Sequence, residues 1–318
     1  TWIRFSCSCA CPACRIAHAH RGAQGPLSQA GDILRTLRPH QWVKNLFVLA
    51  PLVFAKRADD VDLLIHAGLA FLLFSLLSGC VYLLNDIVDV ESDRAHPTKR
   101  HRPIPAGRLS LKAAKLALAS LLCLTVSASF ALSIEFAAIG MAYFTLNVGY
   151  SFALKHVPFV DVLIIASGFI LRLLGGAFAI DVPLSVWLGA CTFLLAMYLG
   201  LGKRKHELMA VKDGGRHTRR VLARYNLGVL RAAMGVLAIL TTGAYAAYTL
   251  LGETAAMFNP RDLVWTIPFV LIGLFRFNSL TGRAEQGRSP TDLMLKDPPF
   301  IANLVGWGAT VLLLIYQT

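Results

Sequence analysis

Nine long apolar runs punctuate the chain, near residues 40–56, 61–84, 112–133, 135–154, 159–180, 184–202, 225–251, 262–278 and 299–317. Each approaches the about 20 mostly apolar residues, with a range of about 17 to 25, that cross a bilayer as a helix. The runs are continuous rather than alternating, so they predict a helical bundle and not a membrane β-barrel. The first run is the weakest, because His40, Gln41, Lys44 and Asn45 polarise its start.

Composition strengthens this picture. The 318 residues are 56% hydrophobic and 15% charged, with a mean hydropathy of +0.58, against about 25% charged residues in a typical soluble domain. Disorder is excluded, since it needs low hydrophobicity. A nucleic-acid binder could share the net charge of +13 but not this apolar content, so no nucleic-acid partner is expected. Twenty-six of the 31 Lys and Arg fall with the N-terminus and the loops after spans 2, 4, 6 and 8, and only Lys56, Arg57 and Arg261 fall opposite. The positive-inside rule therefore puts the N-terminus in the cytoplasm and the C-terminus outside. The expected fold class is an all-α polytopic membrane protein, a bundle of nine transmembrane helices in the bilayer.

Residues 1–30 differ from the rest. Cys7, Cys9, Cys11 and Cys14 precede His18 and His20, and Cys11 and Cys14 have the spacing of half a zinc knuckle. No second pair follows, so a disordered or extraneous extension is the expectation for 1–30. Cys80, Cys123 and Cys191 lie within spans, where a free thiol behaves as a small hydrophobe.

The sharpest chemical signal follows span 2, where Asn85 and Asp86 lead to Asp89, Glu91, Asp93, His96, Lys99, Arg100 and Arg102. A helix continuing out of the span stacks Asp86, Asp89 and Asp93 on one face. Like charges so placed call for a cation, and Mg²⁺, which prefers carboxylate and phosphate oxygens, is the economical one. Lys99, Arg100 and Arg102 are donors suited to anionic oxygens. A merely solvated helix end would explain these bases, but not three aligned aspartates beside Asn85.

Other polar residues sit in or beside spans, where charge is costly and defaults to function. Asp161 and Arg172 share a face of span 5, and Tyr150 and Lys155 close span 4 on the same side as Asp161. Lys155 and Asp161 could be neighbours, either as an ion pair stapling two spans or as substrate contacts. After span 6, Lys203 and Glu207 are four residues apart on a helix, while Lys203 and Arg204 lie nearest the membrane core and suit phosphate. Lys205, Arg216, Arg219 and Arg220 read as a basic cap. In span 1, Lys44 and Asn45 stand where a plain membrane helix carries leucine, although a lysine there can simply snorkel. The polar loop after span 8 reads as a connector, with a substrate-side lid the weaker alternative.

Asn85-Asp86-x-x-Asp89-x-x-x-Asp93, placed after the second of nine spans, resembles the first aspartate-rich motif of the UbiA superfamily of intramembrane transferases. In that family the motif holds magnesium and a donor diphosphate. The prenyltransferase branch carries a second aspartate-rich motif after span 6, whereas here that position reads Lys203-Arg204-Lys205-His206-Glu207. Three stretches are instead similar to the branch of phosphoribosyltransferases acting on polyprenyl phosphates. They are Arg38-Pro39-His40-Gln41-Trp42-Val43-Lys44-Asn45, the His96 to Pro103 extension, and Gly202-Lys203-Arg204. Tyr150, Lys155, Asp161 and Arg172 also fit that branch. The resemblance spans 33–318 and implies a single transmembrane transferase domain over 31–318.

The resemblance implies transfer of 5-phosphoribose from phosphoribosyl diphosphate to a decaprenyl-type polyprenyl phosphate, releasing diphosphate, for cell-wall arabinose precursors. Asp86, Asp89 and Asp93 would be the catalytic metal ligands for Mg²⁺. Lys44, Asn45, Asn85, Lys99, Arg100, Arg102, Tyr150, Lys155, Asp161, Arg172, Lys203, Arg204 and Glu207 would bind substrate. The site would face the cytoplasm from the inner, cytoplasmic membrane, and homo-oligomerisation stays open. One rival is a prenyltransferase moving a polyprenyl diphosphate onto an aromatic acceptor. A remote rival is a transporter, disfavoured because the polar residues gather at one face rather than at the midplane.

Overall fold

Most of the long apolar runs open on a side chain that accepts hydrogen bonds from its own first turn, which is how the sequence sets where each helix begins. Asp60 accepts from the amides of Asp62 and Leu63, Ser110 from Ala113, Ser133 from Phe136, Asn226 from Gly228 and Asp297 from Phe300. The structure, a computed structural model, describes residues 26–152, 157, 159–212, 225–251, 263–282 and 290–316. Among these the chain is all-helical, without strands.

Helix α1 (Pro26–Leu37) leads into a 3₁₀ segment (Pro39–Val48) and α2 (Ala50–Phe54). Then come α3 (Val61–Val88), α4 (Val90–Arg94), α5 (Leu111–Leu132), α6 (Ile134–Phe152), α7 (Val160–Ala179) and α8 (Val186–Lys212). The chain continues through α9 (Leu227–Leu251), α10 (Ile267–Thr281), α11 (Pro290–Lys296) and α12 (Pro298–Tyr316). Consecutive long helices pack as antiparallel neighbours, and α3 and α7 stand at the centre against α6 and the 3₁₀ segment. The membrane-length windows of both central helices are 56% buried, against 11% for the peripheral α5 and α12. Apolar side chains such as Leu116, Ile134, Ile239 and Phe275 face outward, as a lipid-facing surface requires.

Among the described residues seven helices are long and apolar enough to cross a membrane, which makes the protein a multi-pass membrane protein. Two of the nine expected spans are not among them. The run at 135–154 is helical as α6, but Glu135, Asn147 and Tyr150 dilute it. The run at 40–56 is not one helix. Arg38 adopts a left-handed conformation (φ 54°) ahead of Pro39, and the chain winds as a 3₁₀ helix to Val48 before α2 begins. Asn45 is held inside the bundle by hydrogen bonds with Ser75, Ser78 and Arg172. The segment also runs hard against α7, where a methyl group on Gly176 would collide with the Val48 carbonyl.

The cysteine-rich start to residue 25 lies outside the described residues, as do Lys155, Arg216, Arg219, Arg220 and most of the loop after α10. Cys80, Cys123 and Cys191 are free thiols.

Candidate functional site

The charged residues gather at one end of the bundle, where α3, α6, α8 and α10 finish and α5, α7 and α9 begin. Two clusters form there.

The first is built on the end of α3. The backbone carries helical bonds from Asn85 through Asp89 to Asp93, but the helix breaks at Asp89 and restarts at Val90. The three aspartates therefore do not form one uninterrupted stripe. Asp86 and Asp93 are each 1% exposed, and Asp89 is half-buried at the break. Burying carboxylates is costly unless they are paired, and bases from two directions supply the pairing. Arg38 donates to Asp86 Oδ1 at 2.6 Å. The Arg102 Nη1 group donates to both Asp86 Oδ1 (3.0 Å) and Asp93 Oδ2 (2.7 Å). Lys99 Nζ lies 3.4 Å from Asp93. Asn85 turns the other way, accepting from Ser151 on α6. Arg100 is exposed and reaches His101.

Among the described residues no three of His, Cys, Asp or Glu converge as a finished metal cage. The donor chemistry nevertheless fits a hard divalent cation. Two buried carboxylates already converge on one positive nitrogen, and their oxygen ligands are the kind magnesium prefers, with substrate phosphates completing the shell.

The second cluster joins the start of α7 to the end of α8. Arg204 is 0% exposed and Asp161 1%. Nε of Arg204 lies 2.7 Å from Asp161 Oδ2, off the N–H axis, so the contact is electrostatic rather than a directed hydrogen bond. Nη1 pairs with Glu207, and Nη2 has no hydrogen-bond partner among the described residues. Tyr225 donates to the other oxygen of Asp161 at 2.9 Å and accepts the Phe159 amide at 2.7 Å. Burial pushes the Tyr225 phenol up to about 12, so it stays a donor at any working pH.

A third network lies deeper, toward the middle of the bundle. Arg172 donates to Asn45 Oδ1 (2.7 Å), the Gly168 carbonyl (2.8 Å) and the Tyr143 hydroxyl (2.9 Å). Asn45 in turn donates to Ser75 and Ser78 of α3. Lys44, beside Asn45, makes no ion pair among the described residues, and Tyr150 and Lys203 are half-buried at the charged end. An apolar chamber of about 550 Å³, which the 3₁₀ segment borders with Leu46 and Phe47, is lined also by Phe54, Cys191, Tyr248, Phe277 and Trp307.

Several sequence expectations change here. Arg172 spends its guanidinium on Asn45, Gly168 and Tyr143, because a charge that deep needs internal partners. Lys205 is buried, not a solvated cap, and donates to the Asn278 carbonyl and side chain at 2.9 and 2.7 Å. Glu207 pairs with Arg204, at three residues' spacing rather than the expected four to Lys203. Arg38 and Tyr225 were not among the expected site residues. Arg38 was legible as the last base before Pro39, whereas nothing in the sequence ties Tyr225 to Asp161.

Buried acids ringed by cations at one end of an apolar helical bundle are the arrangement expected of an intramembrane transferase. The profile of the UbiA prenyltransferase family matches residues 46–296, and the chain belongs to that family. It is 31% identical over 300 residues to the decaprenyl-phosphate phosphoribosyltransferase of Corynebacterium glutamicum, covering 92% of this chain and 89% of the relative. It is 32% identical over 308 residues to the enzyme of the same name from Mycolicibacterium smegmatis, covering 92% and 94%. The structure of a UbiA homolog from Archaeoglobus fulgidus bound to GPP and Mg²⁺ aligns with a TM-score of 0.66 at 20% identity, covering 89% of this chain and 99% of that one. That likeness establishes the fold.

Proposed function

We propose that the protein transfers 5-phosphoribose from phosphoribosyl diphosphate to a polyprenyl phosphate of decaprenyl type, releasing diphosphate, with its site facing the cytoplasm. The observation that carries this reading is the similarity, along nine-tenths of the chain, to proteins named for this reaction. The charge pattern agrees with it. Donor and acceptor together bring a diphosphate and two phosphates, and Arg38, Lys99 and Arg102 gather on the aspartates at the charged end of the bundle.

Asp86, Asp89 and Asp93 would hold Mg²⁺, which when bound neutralises charge on the departing diphosphate. Arg102 and Lys99 turn from the aspartates to the diphosphate oxygens and stabilise them as the bond from the anomeric carbon breaks. An oxygen of the acceptor phosphate forms the new bond to that carbon. It is already anionic, so no general base is required. Asn85 and Tyr150 would border the donor side. The buried Arg204–Asp161–Glu207 group fixes the end of α8 and thereby aims Lys203. Arg172 and Asn45 seat the 3₁₀ segment that borders the apolar chamber, which accommodates the first isoprene units of the acceptor.

The deciding assay incubates purified protein with radiolabelled phosphoribosyl diphosphate, a polyprenyl monophosphate and Mg²⁺. Label should move into the lipid fraction with release of diphosphate. The family's prenyltransferases favour a second reading, transfer of a prenyl group onto an aromatic acceptor. Consumption of prenyl diphosphate without any labelled lipid would establish that reading instead.

A further inference from the structure

A second cavity, of about 650 Å³, lies between α8, α9 and α10, on a different face of α10 from the apolar chamber. Its wall on α9 is a stripe: Arg231, Met234, Gly235, Ala238, Thr242 and Ala246 recur at helical spacing. From Arg231 to Ala246 this stripe is about 22 Å long at 1.5 Å per residue, longer than the about 15 Å of one leaflet's share of a bilayer core. The rim is lipid-facing, with Ile239 74% and Phe275 76% exposed. The small residues are not spent on helix packing, because a Cβ at Gly235 or Gly243 would meet nothing within 4 Å.

The charged end of the groove has one sign. Arg231 is exposed and has no ion pair among the described residues, Lys205 sits beside it on Asn278, and no acidic side chain lines the cavity. An exposed guanidinium at the head of an apolar, membrane-facing track is complementary to an anionic headgroup carried on a hydrocarbon chain. We propose that this groove binds an anionic glycerophospholipid, its phosphate at Arg231 and one acyl chain along the Gly235–Ala246 stripe. On the proposed function the isoprenoid acceptor occupies the apolar chamber bordered by Phe47, so this would be a resident lipid rather than a substrate.

Native mass spectrometry of the detergent-purified full chain, titrated with phosphatidylglycerol or phosphatidylcholine, tests this. The wild type should retain phosphatidylglycerol over phosphatidylcholine. Arg231→Gln should weaken that retention roughly fivefold, as expected for one arginine at a membrane surface. Gly235→Leu, which projects into open space and leaves folding intact, should displace the lipid by filling its track. Equal retention of both phospholipids, or unchanged retention in both variants, overturns the proposal. Displacement of phosphatidylglycerol by a polyprenyl monophosphate would also overturn it, assigning the groove to the acceptor. No phosphoribosyl donor is present, so the outcome is independent of the proposed reaction.

Discussion

Arg204 and Asp161 face each other at 2.7 Å with neither side chain open to solvent, tying the end of α8 to the start of α7. Removing one partner of such a pair strands the other charge, which typically costs about 3 kcal/mol or more, whereas replacing both with apolar groups is often neutral. Asp161→Ala should therefore unfold at a clearly lower temperature in detergent than the wild type. The double variant Asp161→Leu with Arg204→Met should recover most of that loss. If the single variant melts with the wild type, the pair does not hold the two helices.

Arg102 bridges Asp86 and Asp93 through one nitrogen, a contact a lysine could also make, but only the planar guanidinium keeps further donors to present to a phosphate. Under the proposed reaction, Asp86→Asn should lower transfer by about a hundredfold or more, the scale of removing one preorganised electrostatic group. Arg102→Lys should keep expression and fold while raising KM for phosphoribosyl diphosphate. A wild-type rate in Asp86→Asn would remove Asp86 from the site.

The fold was largely legible because bilayer thickness imposes a length on apolar runs, and seven of the nine runs meet it. The two exceptions have different causes. Asn45 is satisfied by Ser75, Ser78 and Arg172, partners distant in sequence that hydropathy cannot see, whereas Asn147 is satisfied within α6 itself by the Tyr143 carbonyl and the polar residues there simply lower the hydropathy of a helix that still forms. The same blindness separates the two clusters. Asp86, Asp93, Lys99 and Arg102 lie within seventeen residues of each other, so spacing brought them together. Asp161, Arg204 and Tyr225 meet only through the packing of α7, α8 and α9. Arg172 was legible as costly, but its spacing from Asp161 could not reveal that its partner is Asn45.

His96 supplies a pH dependence close to the first cluster. Its ring nitrogen Nδ1 accepts from the amides of Thr98 (3.2 Å) and Lys99 (3.4 Å), which only an unprotonated nitrogen can do. Burial first, then Lys99, holds its pKa below the usual 6.5. The folded loop thus binds its proton less readily than the unfolded chain, so its contribution is complete above 6.5 and lost as pH falls through the depressed value. Hydrogen exchange at Thr98 and Lys99, corrected for intrinsic rates, should lose protection on acidification in the wild type. In His96→Ala it should be low at every pH.

Arg172 and Asn45 test whether the deep network positions the lipid end of the site. Each of the three guanidinium nitrogens of Arg172 has a separate acceptor, and Asn45 relays the tie to Ser75 and Ser78. Lysine offers one nitrogen and cannot reach all three acceptors, so Arg172→Lys leaves buried groups unpaired at a cost of about 2 kcal/mol. The loss falls on the 3₁₀ segment, which carries Lys44 at one step from Asn45 and Phe47 of the chamber two steps beyond it. Under the proposed reaction, a loosened segment should therefore raise KM for the polyprenyl phosphate several-fold, with KM for phosphoribosyl diphosphate, which would bind at the α3 cluster, nearly unchanged. Asn45→Leu should give the same split, because it cuts the same tie from the other side. Equal increases in both KM values would mean that Arg172 supports the bundle as a whole and does not seat the acceptor in particular.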